Sequence, residues 1–316
     1  MNLELMVEGQ EGITWPQWRA IAEACEEHGI RTLFRSEHYM NIHERHPERG
    51  SLETLGTVIA LAAVTTKLRL STMASPVTFR HPSVMAKLCV TADNVSGGRF
   101  ELGIGAGWHE GEHRAYGFEF YDLPTRMDIL EEQLAILHGS WEPGPFSFSG
   151  KHYTLTDLDA QPKPISHIPI ILGGRGGPKS VRLAATYADE YNTLFGTPEI
   201  VRERKGLVDA ACEKAGRQPI PFSIMTPVIV GLDERDLLAR AERVAPLRSL
   251  DPSEVLRAPP PGWIVGTVDE ATETIAALSE SGVSRILCQH LPHTDLEFIG
   301  LLGDVLAPAV DAAVGG

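Results

Sequence analysis

Eight times along this 316-residue chain, a short apolar or alternating run is followed by a segment with helical spacing. No other property narrows the choice of folds as far. Strand–helix alternation builds parallel sheet, and eight such units fit a closed barrel better than an open doubly wound sheet. In the first unit Leu3, Leu5 and Val7 alternate with polar residues. Thr14 and Gln17, with Pro16 between them, then form a capping box that opens a helix running to about His28. Further strands are expected at 31–35, 68–73, 99–104, 168–172, 189–195, 222–230 and 283–287. A strong helix is expected at 126–138, a small hairpin at 146–153, and a second capping box at Thr267 and Glu270. The last helical region, 296–314, should be interrupted near Pro308. The reading is a (β/α)8 TIM barrel, one domain over 1–316 with an insertion at about 108–166. The open sheet stays as the alternative, because periodicity cannot show closure.

Composition sets the outer limits. The chain is 43% hydrophobic, enough for a large core. Its formal net charge of −14 argues against nonspecific nucleic-acid binding. No apolar run reaches the roughly 18 to 20 residues of a membrane span, and no basic-then-apolar leader opens the chain. Cys25, Cys89, Cys212 and Cys288 are dispersed, as expected of reduced thiols. These features describe a cytoplasmic protein with a small-molecule partner and no membrane or nucleic-acid partner.

In a barrel of this kind chemistry collects at the C-terminal strand ends. Read in order, these are Glu8, then Ser36-Glu37-His38, then Thr72 to Pro76, then Gly105-Ala106-Gly107-Trp108, then Gly173 to Gly177, then Asn192. Glycines at 103, 105 and 107 leave the backbone open to a flat ligand. Gly173, Gly174, Gly176 and Gly177 flank Arg175 just ahead of a helix carrying Lys179 and Ser180. Amides at a helix N-terminus beside an arginine suit a phosphate; a flexible glycine turn is the plainer reading. His38 has the residue type for proton exchange near neutrality, or else it orients a loop. His109 to His113 matches HExxH, yet Gly111 weakens the helix a zinc site needs and no third ligand follows. No metal is expected there; the segment reads as a polar loop over the cleft. His43 and His46 complete the histidines near the mouth.

Taken together, these segments resemble the luciferase-like flavin and deazaflavin oxidoreductases, a family that includes bacterial luciferase and the coenzyme F420-dependent enzymes. The resemblance is carried by Phe34 to Tyr39, by Leu70 to Pro76 with Phe79 to Pro82, and by Ser96 to Trp108 with Glu112 to Gly117. It continues through Arg126, Asp128, Glu131 and Glu132, Pro162-Lys163-Pro164, Ile168 to Gly174, Ala188-Asp189 with Asn192, and Val265 to Glu270. It implies a barrel holding an isoalloxazine or deazaflavin ring at the strand ends, propped by a non-proline cis peptide near Thr72 and Met73. It implies an acid–base pair after strand two, here Glu37 and His38, with Glu37 standing where the family pattern has Asp. Trp108 stands where several F420-dependent relatives carry a proton-donating Glu. The implied cofactor is F420, bound by its phosphate at Gly173 to Gly177, with hydride passing between its C5 and a small organic substrate. The alternative is a monooxygenase using reduced FMN supplied by a partner reductase. A catalytically silent flavin-binding barrel is a further alternative. Relatives are often homodimers.

Overall fold

The protein is described here by a computed structural model covering residues 1–42 and 48–315. Eight parallel strands form its central sheet: β1 (Asn2–Val7), β2 (Thr32–Arg35), β3 (Arg69–Thr72), β4 (Phe100–Gly105), β5 (Ile170–Gly173), β6 (Glu190–Leu194), β7 (Phe222–Gly231) and β8 (Arg285–His290). Each pairs in parallel with its neighbour, and β8 returns to β1, so the sheet closes. All eight strands anticipated from the sequence are present.

Alternation along each strand divides the side chains between two cores. Leu5, Leu33, Leu70, Leu102, Leu172 and Tyr191 belong to the larger core, shared with the helices. Met6, Phe34, Met73, Ile171 and Leu287 form a separate cluster inside the barrel. Towards the N-terminal strand ends the interior turns ionic. Arg69 Nε bonds Glu101 at 2.6 Å, while Arg285 reaches Glu101 at 3.0 Å and Glu190 at 2.7 Å. The Arg285 guanidinium also lies 4.9 Å from the centre of the Phe34 ring. The barrel is thus plugged below, and ligands meet it from the opposite mouth.

Local chemistry explains the helices. Trp15–Glu27 opens on the Thr14–Gln17 capping box and Val268–Glu280 on the Thr267–Glu270 box, as expected. Asp122 caps Leu123–Trp141 through the Thr125 amide, which starts that helix earlier than the apolar spacing suggests. The final region differs from expectation. It runs Glu297–Gly300, a π-helical stretch Leu301–Leu306, and Ala307–Val314. The wider turn falls just before Pro308, whose missing N–H leaves the preceding turn one donor short.

Three further features went unforeseen. A two-residue strand, Ser75–Pro76, follows β3 and pairs with β4. A strand at Ile264–Thr267 pairs with the outer half of the ten-residue β7. Between β4 and Leu123–Trp141, the segment taken for a polar loop is a helix, Glu110–Tyr116. His109 accepts from the Glu112 amide at its start, Glu110 and Glu112 complement the macrodipole, and Gly117 closes it at φ 74°. Caps at both ends outweigh the cost of Gly111.

Candidate active site

The loop after β2 carries His38, and helix Glu110–Tyr116 carries its partner. His38 Nδ1 lies 2.8 Å from Glu112 Oε2, and the Tyr39 amide donates to Glu112 Oε1. The Glu112 side chain is fully buried. Burial works to raise its carboxyl, but the hydrogen bond and charge of His38, with the Tyr39 amide, hold it below the usual range. An ionised carboxylate can only accept, so Nδ1 carries the proton and Nε2 is left for a ligand. The His38 ring meets Trp108 edge-on at 5.9 Å and His109 at 6.2 Å. Trp108 is 62% exposed.

The expectation that Glu37 sits against the imidazole is replaced by this arrangement. Glu37 is buried and paired with Arg80, which also contacts Glu53 and Tyr39 Oη. Burial pushes the Glu37 carboxyl above its usual range, and the Arg80 guanidinium offsets this only in part. The second helix contact is His113, whose Nε2 lies 2.6 Å from Thr78 Oγ1 and whose Nδ1 donates to the His109 carbonyl at 2.8 Å. The HExxH residues therefore join the insertion to the loops after β2 and β3. Among the described residues no group of three or more His, Cys, Asp or Glu is placed to hold a metal ion. His43 and His46 lie outside the described residues.

Opposite His38 the strand ends are bare. A Cβ placed on Gly173 or Gly177 would meet nothing within 4 Å, and one on Gly105 only Ala74 at 3.8 Å. Ala106 is partly buried and packs on the main core. Gly107, at φ 77°, turns the chain between Pro76 and Thr78. The non-proline cis peptide joins Met73 to Ala74, one residue beyond the expected Thr72–Met73 pair. Thr72 is buried, with its hydroxyl donating to the Gly103 carbonyl at 2.7 Å. Met73 belongs to the inner cluster.

In the glycine loop, Gly174 N–H donates to the Asn192 carbonyl and Gly176 N–H to Tyr191 Oη, both at 2.9 Å. Asn192 Nδ2 donates to Ser223 Oγ at 2.8 Å. Arg175 is exposed and has no ion pair among the described residues. Lys179 is not free, as the sequence reading assumed. It is paired with Asp128 and Glu131, and Arg182 also takes Glu131. Arg204, unnoticed in the sequence because it sits mid-helix, packs its stem near Gly176 and bonds Thr193 Oγ1. On the β8–β1 side of the mouth the sequence named Glu8 but not its neighbours Gln10 and Gln289. Glu8 accepts from Gln289 Nε2 and from Gln10 Nε2 (2.7 Å), and Ser36 Oγ donates to Gln10 Oε1 at 2.5 Å.

The closed barrel thus gathers an imidazole–carboxylate pair and a glycine loop beside an exposed arginine at its C-terminal strand ends, which defines an α/β barrel with a candidate site at its mouth. More particularly, the chain belongs to the luciferase-like monooxygenase family, whose model matches residues 4–285. It is 34% identical over 200 residues to the pyrimidine monooxygenase RutA of Stutzerimonas stutzeri (strain A1501), covering 61% of this chain and 53% of that protein. To the RutA of Cronobacter sakazakii (strain ATCC BAA-894) it is 31% identical over 198 residues, covering 61% and 57%. The chain thus spans about half the length of the curated relatives it matches. Among solved structures, an F420-dependent secondary alcohol dehydrogenase in complex with an F420–acetone adduct superposes with a TM-score of 0.80 at 22% identity, covering 98% of this chain and 99% of that one. The oxygenating constituent of 3,6-diketocamphane monooxygenase from Pseudomonas putida, in complex with FMN, gives 0.77 at 19%, with the same coverage. At these identities the likeness is one of fold. No helix among the described residues is long and apolar enough to cross a membrane.

Proposed function

We propose that this protein is a luciferase-like oxidoreductase that uses reduced FMN, supplied by a partner reductase, to oxygenate a small organic molecule. The observation that carries the reading is the open space at Gly105, Gly173 and Gly177 together with an imidazole whose Nε2 has no partner among the described residues, both at C-terminal strand ends. A planar ring needs the first and proton transfer needs the second. The cofactor would be held by its phosphate on the Gly173–Gly177 loop with Arg175, and its ring would lie against Met73, Ala74, Gly105 and Gly107. Bound there, it would supply the electrons with which dioxygen is split between the product and water. His38 would take or return a proton at Nε2, with Glu112 holding the ring in one tautomer and stabilising its charged form. Glu37 would act from behind, fixing Arg80 and the β2 loop. Trp108 would shield the imidazole from water.

The deazaflavin F420 is the second reading, and the sequence placed it first. Its long anionic tail needs a basic track beyond the phosphate. Around the glycine loop, Lys179 and Arg182 are instead neutralised by Asp128 and Glu131. That pattern, with the RutA relatives, favours FMN. Fluorescence titration of the purified protein with FMN and with F420 decides between them. FMN is expected to bind more tightly, with oxygen-dependent turnover of its reduced form. Tighter F420 binding with hydride transfer and no oxygen uptake reverses the choice.

A further inference from the structure

Glu8 follows β1 at the barrel mouth, and no cation is paired with it among the described residues. Its oxygens accept only from the neutral amides of Gln10 and Gln289. Gln289, beside it on β8, is 3% exposed, and its own Oε1 has no partner. A buried carbonyl without a partner is costly, so the cluster is incomplete as it stands. The same network runs through Ser36, which bonds Gln10 Oε1 and accepts from the Gly9 amide, and so reaches the segment carrying His38. At the far end of this network His38 keeps Nε2 without a partner among the described residues. The exposed arginine is on the opposite side, at Arg175.

We propose that Glu8 and Gln289 form a subsite for the nitrogen end of the substrate, and that this end is a planar or compact organic cation of the amine or amidine class. The inference rests on the reading of the mouth as a substrate site. N–H groups would satisfy Gln289 Oε1 and the remaining Glu8 lone pairs. The charge would neutralise Glu8. A phosphate-bearing cofactor on the β5 side and a cationic substrate on the β8–β1 side then divide the mouth by charge.

Benzamidine and benzamide make the test, because they share shape and differ in charge and N–H count. Their dissociation constants are measured by ligand-observed NMR on the whole protein, alone and after saturation with FMN. The wild type is expected to bind benzamidine at least tenfold more tightly than benzamide. Glu8→Gln should abolish that preference, and Gln289→Met should reduce it several-fold, with the thermal midpoint and FMN affinity unchanged. Equal binding of the two probes by wild type overturns the proposal, as does a preference that survives Glu8→Gln. If Gln289→Met alone has no effect, water satisfies that oxygen and the two-residue subsite is wrong. Failure to bind FMN would fault the cofactor reading instead, and leaves the probe comparison decisive on its own.

Discussion

Glu112 has both carboxylate oxygens committed to the loop after β2, one to the His38 ring and one to the Tyr39 amide. A carboxylate used this way fixes an orientation and a charge together. His38→Ala is expected to keep cofactor affinity while turnover drops about 10²- to 10⁴-fold, and one limb of the pH–rate profile should vanish with it. Glu112→Gln should lose roughly ten- to a hundredfold in kcat with KM little changed. Near-normal turnover in His38→Ala retires the imidazole from the chemistry. The glycines separate into two kinds just as sharply. A Cβ on Gly174 would overlap Tyr191 Oη and Ser180 Oγ, and one on Gly103 would overlap the Thr72 carbonyl. Substitution there damages the fold. Gly173 faces open space, so Gly173→Val should melt like wild type yet bind cofactor at least tenfold more weakly. Arg175→Ala should also weaken binding, by about ten- to a hundredfold for a lost charge-assisted contact to phosphate. Equilibrium titration beside a melting curve distinguishes these outcomes, and unchanged affinity in both variants would place the phosphate elsewhere.

At the scale of elements, single acidic side chains pin down whole segments. Glu132, on helix Leu123–Trp141, accepts from the Lys151, His152 and Tyr153 amides and so anchors the turn of the hairpin formed by Phe146–Ser149 and Thr154–Leu158. Glu132→Ala should free that hairpin, giving new proteolytic cuts between 146 and 158 and a stability loss of roughly 1–3 kcal/mol. A cleavage pattern identical to wild type would show that the strands hold the hairpin unaided. Asp93 fastens the approach to β5 in the same way, through Ile165 and Ser166. Such anchors are invisible to periodicity, because the acid and the amides it holds are far apart in sequence. This is why the insertion was the least legible part of the chain. Its hairpin and long helix follow local patterns and were readable. Helix Glu110–Tyr116 was not, since its stability comes from caps and from contacts to His38 and Thr78. The strand at Ile264–Thr267 was missed for a related reason: it is defined only by the neighbour that β7 extends to meet it.

Across the whole molecule the barrel was plain in the sequence, because each strand–helix unit states its own pattern in apolar residues, caps and glycines. What no local window could show is the charge layer that plugs its lower end. Glu4 lies in that region, and burial drives its carboxyl up to about 7 against the opposing pull of the Thr32 amide and Arg285. The folded protein therefore holds a proton there that the unfolded chain releases near 4.5. Stability from this group is full below about pH 4.5 and lost by about pH 7, to the extent of about 3 kcal/mol. His290 acts in the opposite sense. Burial lowers it to about 4, so stability falls as pH drops from 6.5 towards 4. Between about pH 4.5 and 6.5 the two slopes largely cancel. Glu4→Gln should uncover the histidine, giving stability that rises with pH across that window and exceeds wild type at pH 8. Urea melts from pH 4.5 to 8 check this, and a variant whose curve parallels wild type would show that Glu4 is ionised throughout.

The position of helix Glu110–Tyr116 has an evolutionary consequence. Its two polar anchors, Glu112 and His113, end on loops belonging to two other strands. The loops of a (β/α)8 barrel usually diversify one at a time, each exchangeable without disturbing the rest. Here three of them share a keystone. A lineage of this kind cannot recruit a new insertion after β4 without also carrying across the Ser36–Tyr39 segment and Thr78. New specificities would arise more readily in the loops that this helix does not touch.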